Sequence, residues 1–191
     1  MKIQALKKSL VFRFNDAVTS KGEFNNGTTA GGIILQSSFD DSAKQPRWVT
    51  VVSSGGDNDP TIFKEGRVVL LPALRWTEAS KFEGEKIWKS DSTQVVAYQS
   101  GEKLIPHDNY VIFIQKSQQV SQSASGLLVV VGSSDDTPSG TVVSAGENAA
   151  TELTPGATIY YNATNFTDTF EFNGIKHAFI KDDEILAYEP A

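Results

Sequence analysis

The chain has 191 residues, 39% hydrophobic and 21% charged, with a net charge of −6 and no cysteine. This is ordinary globular composition, and the lack of cysteine excludes disulfides and thiolate metal sites. The acidic balance and scattered basic residues argue against a nucleic-acid binder, and no apolar run nears the roughly 20 residues of a membrane span.

The opening residues Met1 to Ala5 lack the apolar core and cleavage site of a secretory signal, so a soluble, cytoplasmic protein is expected. Helical periodicity is weak and short strands follow one another. Leu10 to Phe14 alternates large apolar residues on one face, as a half-buried strand does. Gly27 to Ser38 is a small-residue stretch interrupted by Ile33, Ile34 and Leu35, with Gly31 and Gly32 just before them. Trp48 to Val52, Arg67 to Leu71 and Thr93 to Tyr98 are rich in β-branched and aromatic residues, the composition of strands. Gln99 to Lys103 is polar and contains glycine, as linkers do. Tyr110 to Ile114 is a further strand, and Ser123 to Ser134 is a second small-residue stretch around Gly126, Leu127, Leu128 and Val129. Taken alone, the apolar run Leu127 to Val131 reads as a buried strand; its serine and glycine surroundings read as a loop. Thr141 to Val143 and Thr158 to Tyr161 complete the series. Many short strands separated by Gly, Asn, Asp and Ser predict an all-β barrel or sandwich.

The second half repeats the first. Gly66 and the apolar run after it align with Gly156 and its run, 90 positions later. At the same offset Gly84-Glu85-Lys86 meets Gly174-Ile175-Lys176, and Val95 to Tyr98 meets Ile185 to Tyr188. Val51 to Gly55 meets Val142 to Gly146 at an offset of 91. The organisation expected is a barrel over residues 1–98, a linker over 99–103 and a second barrel over 104–191.

The two small-residue stretches resemble the mobile loop of the GroES-like co-chaperonin family, in which small residues and two glycines precede three aliphatic residues. Ala30 to Leu35 follows that pattern, and Ser123 to Val129 follows it with a serine at one glycine position. Ser139 to Gly146 is similar to the family's next strand, and Ile105 to Ile112 to its amino-terminal strand. The resemblance implies two tandem GroES-like irregular β-barrels. It also implies a non-enzymatic co-chaperonin that caps a nucleotide-bound GroEL-type chaperonin and assists ATP-dependent folding. Ile33, Ile34, Leu35, Leu127, Leu128 and Val129 would be the chaperonin-binding side chains, and Gly31, Gly32 and Gly126 the loop hinges. It further implies self-assembly into a closed ring, the first strand of one barrel pairing with the last strand of its neighbour. Barrels side by side would give a four-chain ring, and stacked barrels a seven-chain ring that matches a sevenfold chaperonin; the symmetry argument leans to seven. The energetics suit a lid that cycles: ordering a glycine-rich backbone costs about 1–2 kcal/mol per residue, and each buried aliphatic returns about 1.5–3. One loop nearly breaks even, and several on one ring bind tightly yet release.

Two features depart from the pattern. Lys7-Lys8-Ser9 replaces the family's usual opening, and neither copy carries a long roof hairpin after Gly55 or Gly146, which resembles phage-encoded members of the family and would place the protein in a host cytoplasm. His107 and His177, the only histidines, stand in no metal-ligand or triad spacing and read as structural or surface residues. Asp57-Asn58-Asp59 lacks the closing glutamate of a calcium loop and reads as a turn. With no phosphate loop, dinucleotide fingerprint or nucleophile motif, no cofactor, metal or enzymatic activity is expected. The competing reading is a structural protein, such as a virion component, that keeps the barrel for assembly alone.

Overall fold

The computed structural model describes residues 3–16, 45–116, 119–122, 128–131, 137–162 and 168–191. Fifteen strands are described: β1 (Ser9–Phe14), β2 (Arg47–Ser54), β3 (Val68–Leu71), β4 (Ser80–Phe82), β5 (Glu85–Asp91), β6 (Ala97–Ser100), β7 (Lys103–Pro106), β8 (Tyr110–Gln115), β9 (Gln119–Gln122), β10 (Leu128–Val131), β11 (Ser139–Ala145), β12 (Thr158–Tyr161), β13 (Thr169–Phe172), β14 (Ile175–Lys181) and β15 (Ile185–Glu189). They form a seven-stranded sheet, β4-β5-β1-β2-β3-β6-β7, and a six-stranded sheet, β13-β14-β8-β11-β12-β15. A separate two-stranded sheet joins β9 and β10. The all-β expectation holds, with two barrel-like sheets in tandem, neither of which closes on itself among the described residues.

Each sheet wraps its own core. Leu10, Phe12, Val51, Phe63, Val69 and Leu71 fill the first, and Val111, Phe113, Val142, Leu153, Ile159 and Tyr161 hold the equivalent places in the second. The backbones repeat in hydrogen-bonding detail. The Gly55 N–H donates to the Ser9 carbonyl as Gly146 does to Tyr110, both at 2.9 Å. Gly66 donates to Val51 as Gly156 does to Val142, and Ser92 to Lys8 as Asp182 to Asn109. Lys7 and Asp108 share a left-handed φ, 53° and 55°. Over each lies a glycine, Gly55 and Gly146, whose absent Cβ would strike the Lys7 or Asp108 carbonyl oxygen. Even the irregularities recur, since β1 shifts register against β2 at Val11/Phe12 and β8 against β11 at Val142/Ser144. Segments before the first small-residue stretch repeat 101 positions later, and those just after it 91 later and, from Gly66 on, 90 later, so the first stretch is ten residues longer than the second.

One expectation is corrected. Thr93 to Tyr98 is not one strand: Ser92–Gln94 form a 3-10 turn, and only Ala97–Ser100 pair. The Asp91 carboxylate accepts from the Thr93 N–H at 3.0 Å and from its hydroxyl at 2.8 Å, which bends the chain into a turn. Val95 and Val96 then enter different clusters. Gln99 to Lys103, between the two sheets, turns as a hairpin: Gln99 pairs with Leu104 and Ser100 with Lys103, and Gly101 takes a φ of 64° in the turn.

Candidate functional site

Of the side chains expected to bind a chaperonin, Ile33, Ile34, Leu35 and Leu127 lie outside the described residues, as do Gly31, Gly32 and Gly126. Leu128 and Val129 lie in β10, opposite Gln122 and Ser121 of β9. Leu128 to Val131 therefore take the strand conformation, paired with β9 and with neither large sheet among the described residues.

Both stretches connect equivalent strands, β1 to β2 and β8 to β11. The last backbone bond before each is the same: Asn15 donates to the Trp48 carbonyl and Lys116 to the Ser139 carbonyl, both at 3.0 Å. Side chains reinforce each base differently. In the first, buried Arg47 reaches Asp16 at 2.8 Å, and the Thr50 hydroxyl donates to Asn15 at 2.7 Å. In the second, Gln115 donates to the Tyr161 hydroxyl at 3.2 Å and Lys116 to the Thr158 hydroxyl at 3.2 Å.

The two sheets also meet at a junction inside the chain. The β6–β7 hairpin carries the chain from the first sheet to the second, and a third apolar cluster seals the junction. Leu70, Val96 and Ala97 come from the first unit; Tyr110, Ile112, Phe170 and Phe179 come from the second. The Trp48 indole packs on Phe170 and Phe172, each with centroids 5.9 Å away, and its N–H points to the Glu171 carbonyl at 3.4 Å. Burial pushes the Tyr110 phenol above its ordinary value, with nearby Glu184 adding to the effect. The junction also explains His107. Its backbone N–H donates to the Val96 carbonyl at 2.8 Å, its ring meets Phe63 edge-on at 5.1 Å, and Glu147 lies 3.1 Å from Nδ1. His177 is buried, stacked on Phe170, with Nδ1 2.9 Å from the Ile175 carbonyl. Two sequence signals pointed here. The run Tyr110 to Phe113 is buried on both faces, which continuous apolar runs announce, and Asn173-Gly174 is a hairpin turn signal that places β13 and β14.

With the two equivalent sheets and their shared loop bases established, the comparison with known families is informative. Residues 103–188 match the family model of the chaperonin 10 Kd subunit. The matched region runs from the first residue of β7 to near the end of β15, so it is the second unit with the strand that it lends to the first sheet. The match supports the co-chaperonin family, whose members are not enzymes. No curated protein matches the chain. Among the described residues no group of three His, Asp or Glu is placed to hold a metal ion, and no helix is long and apolar enough to cross a membrane.

Proposed function

We propose that this protein is a co-chaperonin, built from two tandem barrels over residues 1–98 and 104–191, that caps a nucleotide-bound GroEL-type chaperonin and assists ATP-dependent folding. The observation that carries this reading is the match of residues 103–188 to the chaperonin 10 Kd subunit. The shared backbone hydrogen bonds extend it to the first unit, whose stretch leaves the sheet from the same place. Ile33, Ile34 and Leu35 are the docking side chains of the first stretch, with Gly31 and Gly32 as hinges. Leu127, Leu128 and Val129 are those of the second, where Gly126 stands before β10 and a preformed hairpin lowers the cost of ordering.

The β6–β7 pairing bears on ring size. It joins consecutive barrels edge to edge, so n chains contribute 2n barrels to one tier, which favours a four-chain ring over a two-tier ring of seven. Native mass spectrometry separates the two.

The functional test mixes the purified protein with a GroEL-type chaperonin and ATP. Nucleotide-dependent co-migration and altered ATP turnover are expected, and Ile34→Asp abolishes both while leaving the melting curve unchanged, because a charge desolvated without a partner on docking costs several kcal/mol. An unfolded Ile34→Asp variant would mean that the cluster is core. Failure to associate with any chaperonin, a cognate host's included, would favour the assembly-only role.

A further inference from the structure

The junction inside the chain is also a template for the contact between chains. Unit two presents, on its outer side, the surface that unit one has covered. Leu186, Ala187 and Tyr188 of β15 are the counterparts of Val96, Ala97 and Tyr98, and the free edge of β15 pairs with no strand among the described residues. Val96 is fully buried, while Leu186 is 63% and Tyr188 44% exposed. At the other end, Leu6 holds the place of His107 and is 77% exposed.

The two outer surfaces are not copies of the buried junction. They differ from it in charge, and in opposite senses. On the receiving side, Arg67 braces the covered edge, donating to the Gln99 carbonyl at 2.7 Å beneath Tyr98. On the free edge Ala157 replaces Arg67, and Glu189 replaces Gln99. Leu70 becomes Tyr160, whose hydroxyl is hydrogen-bonded to Glu189. On the inserting side the change runs the other way. Phe179 of the covered face becomes Lys89, exposed on the outer face of unit one. The flanking Asp108-Asn109 becomes Lys7-Lys8. Over whole halves, residues 1–98 carry 13 Lys and Arg against 11 Asp and Glu, and residues 99–191 carry 4 against 12. Asp91 is the acidic group beside Lys89 and Lys8 on the first face, and it stays with that face in any assembly.

We infer that the outer face of unit one docks on the free β15 edge of a second copy of this chain, with Lys89 of one copy set against the Tyr160–Glu189 pair of the next. This rests on the side-by-side arrangement of barrels. It adds that the contact between chains is electrostatic where the contact within the chain is aromatic, so the two kinds of seam cannot substitute for one another. A charge pair at a rim is screened by salt, whereas an apolar cluster is not. The assembly therefore loosens at an ionic strength that leaves each chain folded.

Sedimentation velocity on the full chain tests this, with Lys89→Glu, Glu189→Lys and the double reversal at low and high salt. Each single reversal is expected to weaken self-association about tenfold or more, and the double to return it to within about threefold of the unchanged chain. Both positions are exposed, so the melting curves should coincide. Assembly that ignores salt and both single reversals overturns the charge pairing and leaves the ring reading standing. A chain that stays monomeric at micromolar concentration overturns both.

Discussion

The two units share a backbone and differ in what they show outward. On the same face of the same strand, unit two buries Tyr110 and Ile112 in the junction, whereas unit one carries half-exposed Ser9 and Val11, followed by Arg13 in an ion pair with Glu85. Their inner faces stay alike, Leu10 and Phe12 against Val111 and Phe113. Each inward side chain answers to its own core, and each outward one to whatever lies beside it in the chain. The barrel is therefore specified twice by the same few constraints, and the surface is specified once for each neighbour.

The constraint most deeply shared is the close approach of glycine to a left-handed residue. Gly55→Ala and Gly146→Ala each place a Cβ onto a backbone oxygen that cannot move aside, and each should lose about 3 kcal/mol or more in urea unfolding. Equal losses support equivalence of the units; a large loss at one position alone would break it.

The junction is the next most sensitive place. Phe179→Ala removes a buried aromatic from the cluster that joins the units and should cost about 3–5 kcal/mol. Lys89→Ala, at the equivalent position of unit one, should change the stability of the isolated chain by no more than about 0.5 kcal/mol. Comparable losses at the two sites would mean that the outer face of unit one is already packed in the single chain.

The smallest effects come from two carboxylates with opposite shifts. The backbone N–H of Thr93, aided by its hydroxyl, holds Asp91 below its ordinary value of 3.8. Asp91 thus contributes stability above that value and loses it as pH falls through the depressed one. Burial raises Asp168, against a backbone hydrogen bond from Ala73. Its stabilising form is the neutral one, present below 3.8 and lost as pH rises through the raised value. Relative to the unchanged chain at neutral pH, Asp91→Asn should be slightly less stable and Asp168→Asn slightly more, each by under about 1 kcal/mol. The Asp168→Asn gain should vanish on acidification below 3.8, and the Asp91→Asn deficit only at still lower pH. Melting curves across that range check both signs, and a shared sign would show that the two carboxylates do not differ as described.

Much of this architecture is legible in the chain itself. Alternation identified β1, clusters of β-branched and aromatic residues identified β2, β3, β8, β11 and β12, and the offsets of 90 and 91 exposed the duplication, because a core-facing strand must carry apolar residues whatever its surroundings. Other features were not legible locally. Thr93 to Tyr98 has strand composition, and only the carboxylate of Asp91 turns it aside. Gln99 to Lys103 has linker composition, and becomes a hairpin because strands lie ready on both sides of Gly101. Leu127 to Val131 supports strand and loop alike, and the pairing of Leu128–Val131 with Gln119–Gln122 selected the strand.

The sequence by itself therefore determined the fold class and the repeat, both of which follow from local periodicity and backbone preference. Only the tertiary structure decided which apolar residues form a junction and which stay exposed. Val96 and Leu186 are both aliphatic residues at equivalent points of the repeat, and one is buried while the other faces outward. That difference arises from β7 lying against one edge, with Phe170 and Phe179 of unit two brought over Val96 from far along the chain, and no described strand against the other.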